Sequence, residues 1–130
     1  MTATPSVSAC DGLVVIVEDE EDTRELLQEL LEERGYRVAT AQDGVEALDV
    51  LRASERVCFV LLDMMMPRLD GFGVLSALAA DPALSKLRVC ISTSAPERAP
   101  LGVTCLPKPI DIERLFEIVD EHCAAEACAT

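Results

Sequence analysis

The chain reads as an α/β protein built on a parallel sheet, and three observations carry that reading. Two runs, Leu13-Val14-Val15-Ile16-Val17 and Phe59-Val60-Leu61-Leu62, are short, apolar and undivided by polar residues, as strands buried on both faces are. Segments with apolar residues at helical spacing alternate with such runs, which implies βαβ units with right-handed crossovers. The runs also end abruptly on acids, Glu18-Asp19 after the first and Asp63 after the other. In open α/β sheets the ligand site lies just past the carboxyl ends of the strands, so these acids are placed at a crevice.

Each element follows in order. Residues 1–12 are small and polar and read as a loose tail. After the first strand comes EEDTRELLQELLEERG, where Leu26, Leu27, Leu30 and Leu31 fall at helical spacing and Gly35 is placed to end the helix in a left-handed cap. Acids crowd its first turn and Arg34 its last, as the helix dipole favours. Tyr36-Arg37-Val38-Ala39 is a short, more polar strand, expected at an edge. Asp43-Gly44-Val45-Glu46 reads as a capping box opening a helix with Val45, Leu48 and Leu51 inward. The central strand and Asp63 follow, and then Pro67 and Asp70-Gly71 force a turn. Phe72, Leu75, Leu78 and Ala79 mark a third helix that stops before Asp81-Pro82. Residues 87–91 are expected as a fourth strand leading into Ser92-Thr93-Ser94, and residues 103–106 as a fifth leading into Pro107-Lys108-Pro109. Asp111 caps a last helix in which Ile112, Leu115, Phe116 and Val119 repeat at i, i+3, i+4 and i+7. Residues 124–130 read as an Ala-rich tail.

Composition limits the function classes. With 130 residues, half of them apolar, one domain with a real core is the natural reading. No apolar stretch approaches the roughly 20 residues that cross a bilayer, and the N-terminus lacks the basic flank of a secretory signal, so a cytoplasmic protein is expected. A net charge of −13 argues against nucleic acid, which demands basic contacts. None of the six cysteines has C-x-x-C spacing and His122 is the sole histidine, which argues against a zinc site. Cys58, Cys90 and Cys105 sit in or beside strand-like runs as small core residues, and Met64-Met65-Met66 reads as loop packing. His122 is assigned no chemistry.

Parallel strands bring all their carboxyl ends to one edge of the sheet. Glu18-Asp19, Asp63, Thr93 and Lys108 each follow a different strand, so positions far apart in sequence meet at one crevice. Carboxylates about 4 Å apart repel by up to a few kcal/mol at an effective dielectric near 20. A hard divalent cation such as Mg²⁺ offsets that repulsion with oxygen ligands and retained waters. Asp19 and Asp63 are the expected ligands.

These residues resemble the receiver domain of bacterial two-component response regulators. The resemblance covers about residues 13–123 and rests on VIVEDE at 15–20, LLDMMMPRLDG at 61–71, the hydroxyl of Thr93 and the KP pair at 108–109. It implies a flavodoxin-like, doubly wound five-stranded parallel sheet in the order 2-1-3-4-5. It also implies Asp63 as phosphoacceptor, Lys108 and Thr93 as partners of the phosphoryl oxygens, the backbone carbonyl of Met65 as a further metal ligand, and Glu18 acting through water or by tuning charge. The implied donor is a phosphohistidine on a sensor histidine kinase or histidine phosphotransfer protein. The output is an unknown downstream protein or a homodimer, with no nucleic acid and no membrane involved. Such a protein is not an enzyme beyond its own phosphorylation and dephosphorylation.

Three features depart from the family pattern. Cys105 stands where receivers usually carry an aromatic three residues before the lysine. Residues 94–102, with Pro96, Pro100 and Gly102, are too short and too interrupted for the usual fourth helix, so one short turn is expected. No effector domain is expected after residue 123, which suggests a stand-alone receiver or one cut from a longer protein. A degenerate receiver serving as an unphosphorylated scaffold is the alternative. A phosphatase with an aspartate nucleophile ranks lower, because Met65 holds the place of its general acid and cannot transfer a proton.

Overall fold

The computed structural model describes residues 12–129 apart from positions 55, 67 and 101, with side chains described as far as His122. Residues 1–11 of the expected 1–12 tail and the turn proline Pro67 lie outside the described residues, while Gly12, the last residue of that stretch, is buried. Five strands, β1 (Leu13–Val17), β2 (Arg37–Ala41), β3 (Val57–Asp63), β4 (Val89–Thr93) and β5 (Thr104–Pro107), pair in parallel in the order β2-β1-β3-β4-β5. The described helices are α1 (Glu21–Glu33), α2 (Gly44–Ala53), α3 (Gly71–Ala80) and α4 (Ile112–Ala129), with one 3₁₀ turn at Pro96–Arg98. The expected parallel α/β sheet, its strand order and the reduction of the fourth connection to one short turn are all present.

Strand alternation divides the core in two. Val14, Ile16, Phe59, Leu61, Cys90 and Leu106 face α1 and α4, packing against Leu27, Leu31, Leu115 and Val119. Val15, Val17, Val60, Leu62 and Ile91 face α2 and α3, packing against Ala47, Leu51, Val74 and Leu78. β3 is buried along nearly its whole length because it sits in the middle of the sheet with helices on both sides.

Several local expectations shift. Leu26 points outward at 50% exposure, since only Leu27 and Leu31 of that helix reach the sheet. Val45 is also exposed, and Ala47 takes the inward place beside Leu48 and Leu51. β4 begins two residues later than the expected 87–91, and β5 one later than 103–106. Leu87 packs against the α2/α3 core from outside the sheet, so its apolar character does not mark a strand. α4 continues to Ala129, through most of the 124–130 stretch read as a tail. Cys58 and Cys90 are buried as expected, while Cys105 is half-buried.

The helix ends have identifiable anchors. Gly35 takes a left-handed φ of 102° just past α1. Arg34 beside it pairs with Asp120 of α4 at 2.5 Å, stacks on the Phe116 ring at 4.4 Å, and shares Asp120 with the Tyr36 hydroxyl. Burial alone would raise the Asp120 pKa, but these two donors outweigh it and hold the carboxylate below its ordinary range. Asp43 caps α2 by accepting the Glu46 N–H at 2.8 Å, and the Glu46 carboxylate accepts from Gln42 N at 2.7 Å, one residue earlier than the standard box.

The loop after β3 is pinned at both ends. Arg68, at a positive φ of 68°, pairs with Asp43 through Nε at 3.1 Å. Gly71 N donates to the Met64 carbonyl at 3.0 Å, and Asp70 caps α3 through the Gly73 N–H at 3.0 Å. A Cβ on Gly71 would lie 2.8 Å from Met64 Cα and 3.0 Å from the Asp63 carbonyl. Gly71→Ala therefore forces backbone apart next to Asp63. A loss of about 1–3 kcal/mol in urea unfolding is expected, the usual range for overpacking. Unchanged stability would show that the loop moves freely.

Candidate functional site

Three side chains meet at the carboxyl edge of the sheet. Asp63 ends β3, Glu18 follows β1, and Lys108 follows β5. Lys108 Nζ lies 3.2 Å from Glu18 Oε1 and 3.3 Å from Asp63 Oδ1. Both carboxylates are almost fully buried while the lysine is about a third exposed. Lys108 is tied to β4 through its backbone, its N–H donating to the Thr93 carbonyl at 2.8 Å, and it precedes a cis peptide bond to Pro109.

The donors at each group can be traced. Asp63 Oδ1 also accepts the Met65 N–H at 3.2 Å. Glu18 Oε2 accepts the Glu20 N–H at 3.1 Å, and the Arg24 guanidinium donates to the Glu18 carbonyl at 3.0 Å. Burial is the largest influence on Asp63, the charge of Glu18 adds to it, and Lys108 with the Met65 N–H opposes it; the pKa is pushed up to about 7. For Lys108, burial alone would lower the pKa, yet Asp63 and Glu18 outweigh it and the ammonium is held above its ordinary range.

Asp19 is exposed at the mouth of this cluster. One oxygen each from Glu18, Asp19 and Asp63 lies within 4.8 Å of the others. An all-carboxylate donor set of this spacing suits a hard divalent cation that keeps several waters. Met65 turns its side chain to solvent at 69% exposure, so a role for its backbone carbonyl asks nothing of the side chain. Met64 packs in the core and Met66 against its edge, which is loop packing.

Thr93 ends β4, buried, and its Oγ1 accepts the Ala95 N–H at 3.0 Å, which leaves the hydroxyl proton to be donated. Ser92, the residue in register with Asp63, is buried with its Oγ unpaired. His122 stacks near Phe59, with ring centroids 5.3 Å apart, and burial foremost holds its pKa below the ordinary value. The direct Glu18–Lys108 pair, the Arg24 contact and the place of Ser92 were not anticipated from sequence. Only the strand register reveals Ser92, whereas the acid-rich VIVEDE stretch already signalled Glu18.

The response regulator receiver domain family matches residues 14–120, and the chain belongs to that family. It is 37% identical over 108 residues to the response regulator MprA of Mycobacterium sp. strain KMS, across 79% of this chain and 46% of that protein. It thus spans about half the length of the curated relatives it matches. The receiver domain of the hybrid histidine kinase CckA superposes with a TM-score of 0.74 at 35% identity, over 86% of this chain and 99% of that one. A receiver domain protein from Clostridium thermocellum superposes at a TM-score of 0.81 and 22% identity, over 92% and 99%, a likeness of fold.

The raised Asp63 pKa fixes a pH dependence for the metal-free protein. A carboxyl whose folded pKa exceeds its unfolded value stabilises the fold while protonated. Its contribution is complete below pH 3.8 and is lost as pH rises through about 7. Asp63→Asn should remove this slope and, in EDTA at pH 8, raise unfolding stability by about 1–3 kcal/mol. Equal or lower stability of the variant across pH 5–8 would show that Asp63 is not under electrostatic strain.

Proposed function

We propose that this receiver domain accepts a phosphoryl group on Asp63 from a phosphohistidine of a sensor histidine kinase or histidine phosphotransfer protein, and signals in the cytoplasm by protein–protein contact. The observation that carries this reading is a buried carboxylate whose one oxygen is already held by Lys108 and the Met65 N–H, within reach of two further acids. An Asp63 oxygen forms the new bond to phosphorus as the P–N bond breaks. The imidazole nitrogen leaves with the bonding electrons and takes its proton from water. Such transfer asks for in-line placement and charge neutralisation more than covalent help.

Asp19, Asp63 and the Met65 carbonyl would hold Mg²⁺, with Glu18 acting through water; bound there, the cation neutralises phosphoryl charge. Lys108 would engage the phosphoryl oxygens as well, and Thr93 would donate its free hydroxyl proton to one of them. The closeness of Lys108, Glu18 and Asp63 favours this over an unphosphorylated scaffold, which needs no such convergence. Among the described residues no helix is long and apolar enough to cross a membrane.

Incubation with Mg²⁺ and acetyl phosphate, read by intact mass, tests the assignment. The parent should gain one base-labile phosphoryl group and Asp63→Asn none, because the carboxylate is the nucleophile. Full labelling of Asp63→Asn would sink it. The signal should then leave through residues 94–102, which follow Thr93 directly, with Cys105 taking no part as a rotating switch because it has no ring. Hydrogen exchange with and without beryllium fluoride should show altered protection across 94–102. Change confined to α1 would place the output on another face.

A further inference from the structure

The sheet alternation puts a second hydroxyl beside Asp63. Phe59, Leu61, Cys90 and Leu106 all face α1 and α4. Asp63 lies two residues past Leu61, and Ser92 two past Cys90, so both side chains continue on that face. The register pairs Asp63 with Ser92, and Ser92 with Leu106. Thr93, one residue on, belongs to the opposite pleat.

Neighbouring strands lie about 4.8 Å apart, so β5 is roughly 10 Å from β3. The Lys108 side chain crosses the end of β4 to reach Asp63 at 3.3 Å. Ser92 is the β4 side chain on the face it crosses. Its Oγ is buried, its residue 1% exposed, and it has no hydrogen-bond partner. An unpaired buried hydroxyl is costly, and one in a native structure calls for an explanation, of which a role in the chemistry of the site is one.

The state that lacks a donor is the phosphorylated one. Asp63 Oδ1 depends on the Met65 N–H and on Lys108. A phosphoryl group brings three anionic oxygens that compete for the same ammonium. When Lys108 turns to them, the Asp63 carboxyl loses a donor while its orientation governs the transfer.

We propose that Ser92 is a positioning residue of this site, its hydroxyl donating to the Asp63 carboxyl group when Lys108 engages the phosphoryl oxygens. This rests on Asp63 being the phosphoacceptor. The role is distinct from that of Thr93, which reads the phosphoryl group itself.

The test uses the full chain with Ser92→Ala, Ser92→Thr and Ser92→Val. Thr and Val match in shape, so steric effects cancel between them, and Ala removes only the oxygen. Labelling by acetyl phosphate at saturating Mg²⁺ is followed by intact mass. Affinity for beryllium fluoride, measured by thermal shift, gives a binding readout independent of turnover. Ala and Val should label about tenfold more slowly than the parent and bind beryllium fluoride more weakly, the scale of a lost hydrogen bond to a charged group. Thr should keep the parent's behaviour. Labelling of Ala at the parent's rate, or equal behaviour of Thr and Val, would overturn the assignment of Ser92 alone. Failure of the parent itself to gain mass has a different signature: it removes the phosphoacceptor reading, and this inference with it.

Discussion

The contact on which the rest of the site depends is the Lys108 ammonium set between Glu18 and Asp63. Two buried carboxylates at the ends of adjacent strands would otherwise face each other with nothing between them. At an effective dielectric near 20, a pair of like charges about 4 Å apart costs roughly 4 kcal/mol. One lysine offsets part of this: burial first and the Glu18 charge second still raise Asp63 to about 7 against it. The site is thus held together in a state that still favours more positive charge. A cation and a phosphoryl group in succession would relieve and then reuse that imbalance.

The lysine acts at this distance because the surrounding backbone is fixed. Its N–H is bonded to the Thr93 carbonyl, so its origin moves with β4. The Asp63 loop is fastened by Gly71 to Met64, by Gly44 N to the Leu69 carbonyl, and by Arg68 to Asp43. Those contacts join α2, α3 and the end of β3 into one support. Placement of reacting groups to within fractions of an ångström requires such a shell, since each side chain's rotamer is only as fixed as its neighbours.

Much of this was legible in the sequence, for a physical reason. Strands buried on both faces leave an uninterrupted apolar run, and an acid at its end has nowhere to go but the crevice; this is why β1, β3, Asp63 and Glu18-Asp19 could be read directly. Burial within a helix was less legible. Leu26 and Val45 are as apolar as their inward neighbours, and only the angle of each helix on the sheet decides which side they face. Ser92 was hidden by a boundary. With β4 placed at 87–91, Ser92 falls outside the sheet, whereas the true strand at Val89–Thr93 puts it in register with Asp63. A two-residue slip in an end keeps the fold but moves a side chain out of the site, because position relative to neighbouring strands is a tertiary property.

The short β4–β5 connection has a consequence for how the domain distributes its stability. Thr93 is buried, yet no described residue from 94 to 104 is. A groove of about 550 Å³, lined by Phe72, Leu75, Leu87, Pro100 and Val103 among others, opens beside the connection. A segment with few buried apolar contacts opens at low free energy, whereas β3 and β4 open only with the whole core. The boundary between the two regimes falls at Thr93, whose hydroxyl holds the Ala95 N–H. A hydrogen bond of that kind contributes only about 1 kcal/mol net, so its loss is enough to shift the populations of a loosely packed segment. On the phosphoacceptor reading, a receiver lacking the usual helix and ring would couple its acid cluster to its surface at this junction. That coupling would run through the Thr93 hydroxyl at the junction of a rigid strand and a weakly held loop, not through the rotation of an aromatic side chain.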